Sequence, residues 1–221
     1  DYANVPWMFR LGPDDRQQLS QLLDHARNQG WKRLAWVGSD ERDSRVAEGT
    51  AMRLAREAGD MLVAGRDLAE ADALLVWGGV DGAPALVAEA LELSRGRPLL
   101  GPWMLAAAGV AAAADTEFRF CLPAGERGLP PDGFRRRLPA GMSPAAMWMA
   151  ALTYDAIDLL ARAIRDGAAT AADLRRTLAT TDHQGISGTI TFDGLGGRKS
   201  PALAVWRGHD LVSKPTVLSV D

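Results

Sequence analysis

The side chains best suited to chemistry in this chain are loop acids, histidines, one cysteine and a run of arginines, and their spacing argues against catalysis. Asp40, Glu41 and Asp43 share one short polar stretch that could hold a hard cation, but it lacks the glycine turn and distal glutamate of a calcium loop. His25, His183 and His209 lie far apart, and none stands in a zinc spacing such as H-E-x-x-H. His25 has polar helix neighbours, and the other two fall in a loop and a turn, so all three are expected at the surface or in turns. Cys121 is the single cysteine, which excludes an internal disulfide and leaves the redox compartment unreported. Gly185-Ile186-Ser187-Gly188 falls short of G-x-S-x-G, because Thr189 stands where the last glycine is needed and a strand follows instead of a helix. Gly78-Gly79-Val80-Asp81-Gly82 is neither a Walker loop nor a dinucleotide fingerprint. Arg135-Arg136-Arg137 reads as a solvated helix face. The expectation is a protein that is not an enzyme, with no metal and no cofactor.

The elements that must position any site follow from periodicity. Leu19, Leu22, Leu23 and Ala26 form one helical stripe after Asp14 and Asp15, whose carboxylates suit a helix N-terminus, and Gly30 closes that helix. Leu34-Ala35-Trp36-Val37 reads as a buried strand, residues 46–58 as a helix, Met61-Leu62-Val63-Ala64 as a strand, and Ala73-Leu74-Leu75-Val76-Trp77 as a second continuous apolar run. Pro84 opens a helix reaching Leu93, Pro98-Leu99-Leu100-Gly101 is another strand, and a short alanine-rich helix is expected from about Met104. Strands alternating with helices predict an α/β fold with a parallel sheet flanked by helices. Between Ala64 and Ala71 only about one helical turn fits, an anomaly for a parallel crossover. After a Pro-, Gly- and Arg-rich connection at 124–144 come a helix from Ser143 to Arg165 and another at 171–179. Ile190 and Phe192 then alternate with polar residues, and Asp193-Gly194 and Gly196-Gly197 predict a hairpin returning through Ala202-Leu203-Ala204-Val205-Trp206.

Composition bounds the partners. The chain has 221 residues, is 47% hydrophobic and carries a net charge of −3, which excludes a disordered tail and gives no electrostatic reason to expect nucleic acid. No stretch approaches the roughly 18–20 apolar residues of a membrane span, and no signal sequence opens the chain, which begins at Asp1 without methionine, as a processed or trimmed product would.

Four motifs in one order carry a family resemblance. Pro6-Trp7-Met8-Phe9-Arg10-Leu11-Gly12-Pro13-Asp14-Asp15, Gly30-Trp31-Lys32-Arg33-Leu34-Ala35-Trp36-Val37 and Ala71-Asp72-Ala73-Leu74-Leu75-Val76-Trp77-Gly78-Gly79 precede Tyr154-Asp155-Ala156, which leads to a run matching "G-x-x-G-x-I-x-F-D-x-x-G" from Gly185. Together they resemble the second lobe of the solute-binding proteins of branched-chain amino-acid ABC transporters, with the type I periplasmic-binding fold; the first lobe ahead of this entry point is expected to be missing. The resemblance implies residues 1–122 as a second-lobe α/β domain, 123–184 as a connection plus helices that belong to the first lobe in relatives, and 185–221 as C-terminal strands returning to the second lobe. It also implies capture of a small organic solute (amino-acid-like, or an aromatic or aliphatic acid or amide), a periplasmic location and an ABC permease as partner.

Carried over position by position, Asp43 and Ser44 occupy the places of a tyrosine and glycine in the first ligand loop, Gly79 and Asp81 lie in the second, and Trp103 stands where amino-acid-binding relatives place an acid to pair with the ligand ammonium. Trp103 offers a ring face instead, which puts an ordinary α-amino acid in doubt. Trp31, Trp36, Trp148 and Trp206 are read as core. The rival expectation is a degenerate relative acting as an interaction or assembly module in a periplasmic system, and half a cleft implies a homodimer through the exposed face.

Overall fold

The computed structural model describes residues 7–39, 41–59, 62–64, 68–79, 82–106, 117–123 and 128–208. Its centre is a six-stranded sheet built from β1 (Arg33–Gly38), β2 (Leu62–Ala64), β3 (Ala73–Trp77), β4 (Leu99–Pro102), β5 (Phe118–Pro123) and β8 (Leu203–Arg207), in the order β2-β1-β3-β4-β5-β8. All neighbours are parallel except β5 and β8. The apolar runs become strands because both faces of this sheet are covered, and every residue of β3 is buried.

On one face pack α1 (Asp15–Asn28) and α2 (Arg42–Ala58). Asp14 caps α1 in a reciprocal box with Gln17, and the stripe Leu19, Leu22, Leu23 and Ala26 is buried as its spacing requires. Ala47, Ala51 and Ala55 recur every fourth residue on α2, bringing its backbone close to that face, and Gly59 ends it in the left-handed conformation at φ 77°. On the other face, α3 (Ala83–Ser94) sets Leu86, Val87 and Ala90 against Ala35, Val37, Leu74 and Val76. The alanine-rich stretch expected as a helix from about Met104 opens as a 3-10 turn, Trp103–Leu105, and 107–116 lies outside the described residues.

The short β2–β3 crossover carries no helix among its described residues, 68–72. Side chains hold it instead. The Arg97 guanidinium donates to the carbonyls of Leu68 and Ala71 while also reaching those of Leu93 and Ser94. The Asp72 carboxylate accepts the backbone N–H groups of Lys32 (2.7 Å) and Arg33 (2.9 Å).

Among the described residues the remaining helices are α4 (Asp132–Arg135), α5 (Pro144–Arg165) and α6 (Ala171–Ala179). Ser143 caps α5 and Thr170 caps α6. Here one strand pairing departs from expectation. β7 (Gly188–Thr191) forms its hairpin with the preceding β6 (Asp182–Gly185), and β8 leaves to join β5 across the main sheet. The period of two identifies a strand but not its partner. The glycines after Phe192 instead turn the chain against Arg10, which donates to the Gly196 carbonyl at 2.8 Å. Gly196 is obligatory there: its φ is +80° and a Cβ would collide with the Met8 carbonyl oxygen.

The signature run has a physical core in Asp155, which is 1% exposed on α5. Its carboxylate accepts the N–H of Ile186 (2.7 Å), the N–H of Ser187 (2.8 Å) and the Ser187 hydroxyl (2.6 Å). A Cβ on Gly185 would lie 2.6 Å from that carboxylate, so the turn needs glycine there. Arg198 closes the cluster, donating to Ser187 Oγ (2.9 Å) and to the carbonyls of Ser187 and Thr189. Asp193 accepts the N–H groups of Leu195 and Gly197, both at 2.8 Å, and fixes the next turn.

Candidate functional site

Because β2 and β3 flank β1 on opposite sides, the chain leaving β1 goes through α2 over one face and the chain leaving β3 goes through α3 over the other. In an open α/β sheet this switch opens a crevice beyond the carboxyl ends of the two strands. Gly38 and Ser39 reach it from β1, and Trp77, Gly78 and Gly79 from β3.

The Trp77 carbonyl accepts both the Ser39 N–H (3.2 Å) and the Ser44 hydroxyl (3.1 Å), which locks the two loops together. Ser44 is 2% exposed. Its hydroxyl also lies where a Cβ on Gly38 would stand, so Ser44 serves packing at this edge, not the open mouth. The Ser39 hydroxyl oxygen is buried with no hydrogen-bond partner among the described residues. Beyond it, the Glu41 carboxylate leans over Gly79: a Cβ there would lie 2.9 Å from Glu41 Oε2. Glu41 is the N-cap residue of α2 but makes no capping bond with its side chain, which leaves the carboxylate at the mouth.

Asp43 is exposed in the first turn of α2. Asp15, in the first turn of α1, is held above the ordinary carboxyl value, first by burial and then by the charges of Asp14 and Asp43. The two helix N-termini thus bring carboxylates together at this edge. Gly79 lies in the loop after β3, and Asp43 lies in the first turn of α2 rather than in the loop before it. Asp81, with Asp40, lies outside the described residues.

Trp103 departs from the open ring platform expected of it. Its side chain is 6% exposed and packs in the core beneath α3 and α5. Its backbone N–H donates to Oε1 of Gln18 at 3.1 Å. Gln18 is buried on α1, a polar residue on the helical stripe one turn before Leu22; that position was the only signal of its role. Glu41 appeared in the sequence only as one of three loop acids, because nothing local says which of them lies across Gly79.

The nucleophile-like groups are engaged elsewhere. Burial pushes the Cys121 thiol up to about 12. Ser187 belongs to the Asp155 and Arg198 cluster. His183 is not in a loop but on β6, 3.3 Å from Asp158, and His25 is half-buried against Arg119; His209 lies outside the described residues. Among the described residues no group of His, Cys, Asp and Glu could hold a metal ion, and no helix is long and apolar enough to cross a membrane. A cavity of about 280 Å³ opens away from the crevice, between Arg16, Gln17 and Ser20 of α1, Ser200 ahead of β8 and Leu203 at its start.

No family model and no curated protein sequence matches the chain. Solved structures do match its fold. An ABC transporter substrate-binding protein from Desulfitobacterium hafniense in complex with Leu superposes with a TM-score of 0.72 at 19% identity, covering 91% of this chain and 65% of that one. The leucine-binding protein LivK from Thermotoga maritima gives 0.71 at 19% identity, covering 94% and 67%. A solute-binding protein of an ABC transporter from R. palustris in complex with benzoate gives 0.69 at 16% identity, covering 91% and 62%. The shared architecture is the type I periplasmic-binding fold, of which this chain spans about two thirds; the similar structures are binding proteins.

Proposed function

We propose that this chain supplies one wall of a two-lobe site that captures a small organic solute for an ABC importer in the periplasm or outside the cell. The observation that carries the reading is the crevice at the switch point, where Gly79 brings backbone without a side chain up to the Glu41 carboxylate across the opening, while Leu86 packs against Gly78 behind it. The three solved structures above, two of them in complex with leucine or benzoate, support a solute of that size. Glu41 is the acidic group that the Trp103 loop lacks, so a solute presenting an ammonium or another hydrogen-bond-donating group is the better fit, with Asp43 two residues on in the first turn of α2. Ligand would act by favouring a closed pair of lobes through contacts made only there.

The bare face of α5 fits the same reading. Met149, Tyr154, Ile157, Leu160 and Ile164 form an exposed apolar stripe, while Trp148, Leu152, Asp155, Leu159 and Ala163 face inward. A second lobe seated on that stripe would cover it and hold residues 144–179 on its own side of the cleft; a homodimer would use the same surface.

The test is an amide-resonance titration of the chain with paired probes of one shape, an aliphatic amine and the matching carboxylic acid and amide. Shifts concentrated at Ser39, Gly78 and Gly79, lost in Gly79→Val, are expected. Shifts confined to the α1 cavity, or none with any probe, would overturn the reading.

A further inference from the structure

The cluster around Arg119 lies at the opposite end of α1 from the crevice. Arg119 is on β5 with 5% of its surface exposed. Its guanidinium contacts His25 Nε2 at 2.8 Å, donates to Gln29 Oε1 at 3.0 Å and to Glu117 Oε2 at 2.7 Å, and lies 4.8 Å over the Trp31 ring. A guanidinium has donors only, so His25 Nε2 must be the acceptor and its ring proton must sit on Nδ1. The contact exists only while His25 is neutral.

The charges facing the imidazole leave no substitute. Arg119 reaches it from β5, and Arg207 on β8 pairs directly opposite Arg119 in the ladder. Glu117, just before β5, is shared between Arg119 and Arg207, at 2.7 and 3.8 Å. Gln29 at the end of α1 is neutral, and Trp31 meets the imidazole edge-on with ring centroids 6.0 Å apart. Asp24 on α1 is engaged by Arg27. A proton added to Nε2 would set two donors and two positive charges against each other in a half-buried position.

We propose that the His25–Arg119 contact is a proton-sensitive clasp holding the C-terminal half of α1 to the β5–β8 edge, which mild acid opens. The consequence reaches the crevice side through α1 itself. Gln18, two helical turns from His25, accepts the Trp103 N–H after β4, so loosening α1 loosens the support of that loop. Burial, Arg119 and Arg207 all push His25 below its ordinary value of 6.5, in keeping with an imidazole held neutral. The clasp does not depend on which solute, if any, the crevice takes.

The experiment compares the chain with His25→Gln, whose amide oxygen can accept from Arg119 at every pH. Thermal midpoints are recorded from pH 7.5 to pH 5, and the imidazole nitrogens of the unaltered chain are followed by long-range proton–nitrogen spectra. The expected result is an Nδ1–H tautomer for His25 at neutral pH and a midpoint that falls about 2–4 °C further on acidification than that of the variant. Every ionisable group other than His25 is common to both proteins, so the difference belongs to His25. Parallel pH profiles, or an Nε2–H tautomer, would overturn the proposal; should the variant not fold, the tautomer and the direction of the His25 shift decide it alone.

Discussion

Replacing Asp155 by asparagine keeps the shape of the side chain and removes one acceptor oxygen from a carboxylate that takes three hydrogen bonds. The amide NH2 must then face either the Ile186 N–H or the Ser187 N–H and hydroxyl, so at least one buried backbone donor loses its partner. That costs about 1–3 kcal/mol, and the bond that remains loses its charge assistance. Arg198, buried on the far side of Ser187, loses the nearby negative charge that balances it. Together these give a loss of about 3–5 kcal/mol, a large share of the roughly 5–15 kcal/mol that holds a domain folded. For a chain of this length the thermal midpoint should fall by about 10–15 °C. Urea unfolding reads the free energy, and amide exchange reads whether protection is lost first at Ile186 and Ser187. Ser187→Ala, which leaves both backbone donors bonded to the carboxylate, should cost only about 1–2 kcal/mol. An asparagine variant within 1 kcal/mol of the parent, or with Ile186 and Ser187 protected as before, would refute the account of the signature run as a carboxylate-pinned turn.

Other consequences are more local. Asp72→Ala frees the Lys32 and Arg33 amides and should cost about 1 kcal/mol at neutral pH. Those two backbone donors hold the Asp72 carboxyl below its ordinary value of 3.8. Its contribution is therefore complete above that value and lost as the pH falls through the folded value, so parent and variant should converge in strong acid in a calorimetric pH series. Cys121, buried with its thiol near 12, should react with a thiol reagent only as fast as the chain unfolds, and native-state labelling in seconds would contradict its burial. Ile157→Lys, at a position 63% exposed, should change the stability of the chain by less than about 0.5 kcal/mol while weakening any association seen by sedimentation.

The sequence alone determined the elements whose signals are local. The α1 stripe with its acidic N-terminus, the continuous runs of β1 and β3, Ser143 ahead of α5 and the Gly30 stop are written within a few residues of where they act, because helix and strand periods and capping bonds span at most a turn or two. The alternation of strand and helix that implies a parallel sheet was legible for the same reason, as was the absence of room for a crossover helix after β2. Tertiary structure decided what depends on residues far apart in the chain. β7 and β8 look like one hairpin because strand identity is local, yet β8 finds β5 some eighty residues earlier, where an open sheet edge could accept it. Trp103 and Ser44 look available in their loops, and their burial is set by Gln18, α3, α5 and the Trp77 carbonyl. His25 sits among polar helix neighbours and is half-buried because Arg119, 94 residues away, needs an acceptor. Even the family-like run around Gly185 is a pattern whose cause lies in Asp155, on another element, since a buried carboxylate dictates where glycine must stand.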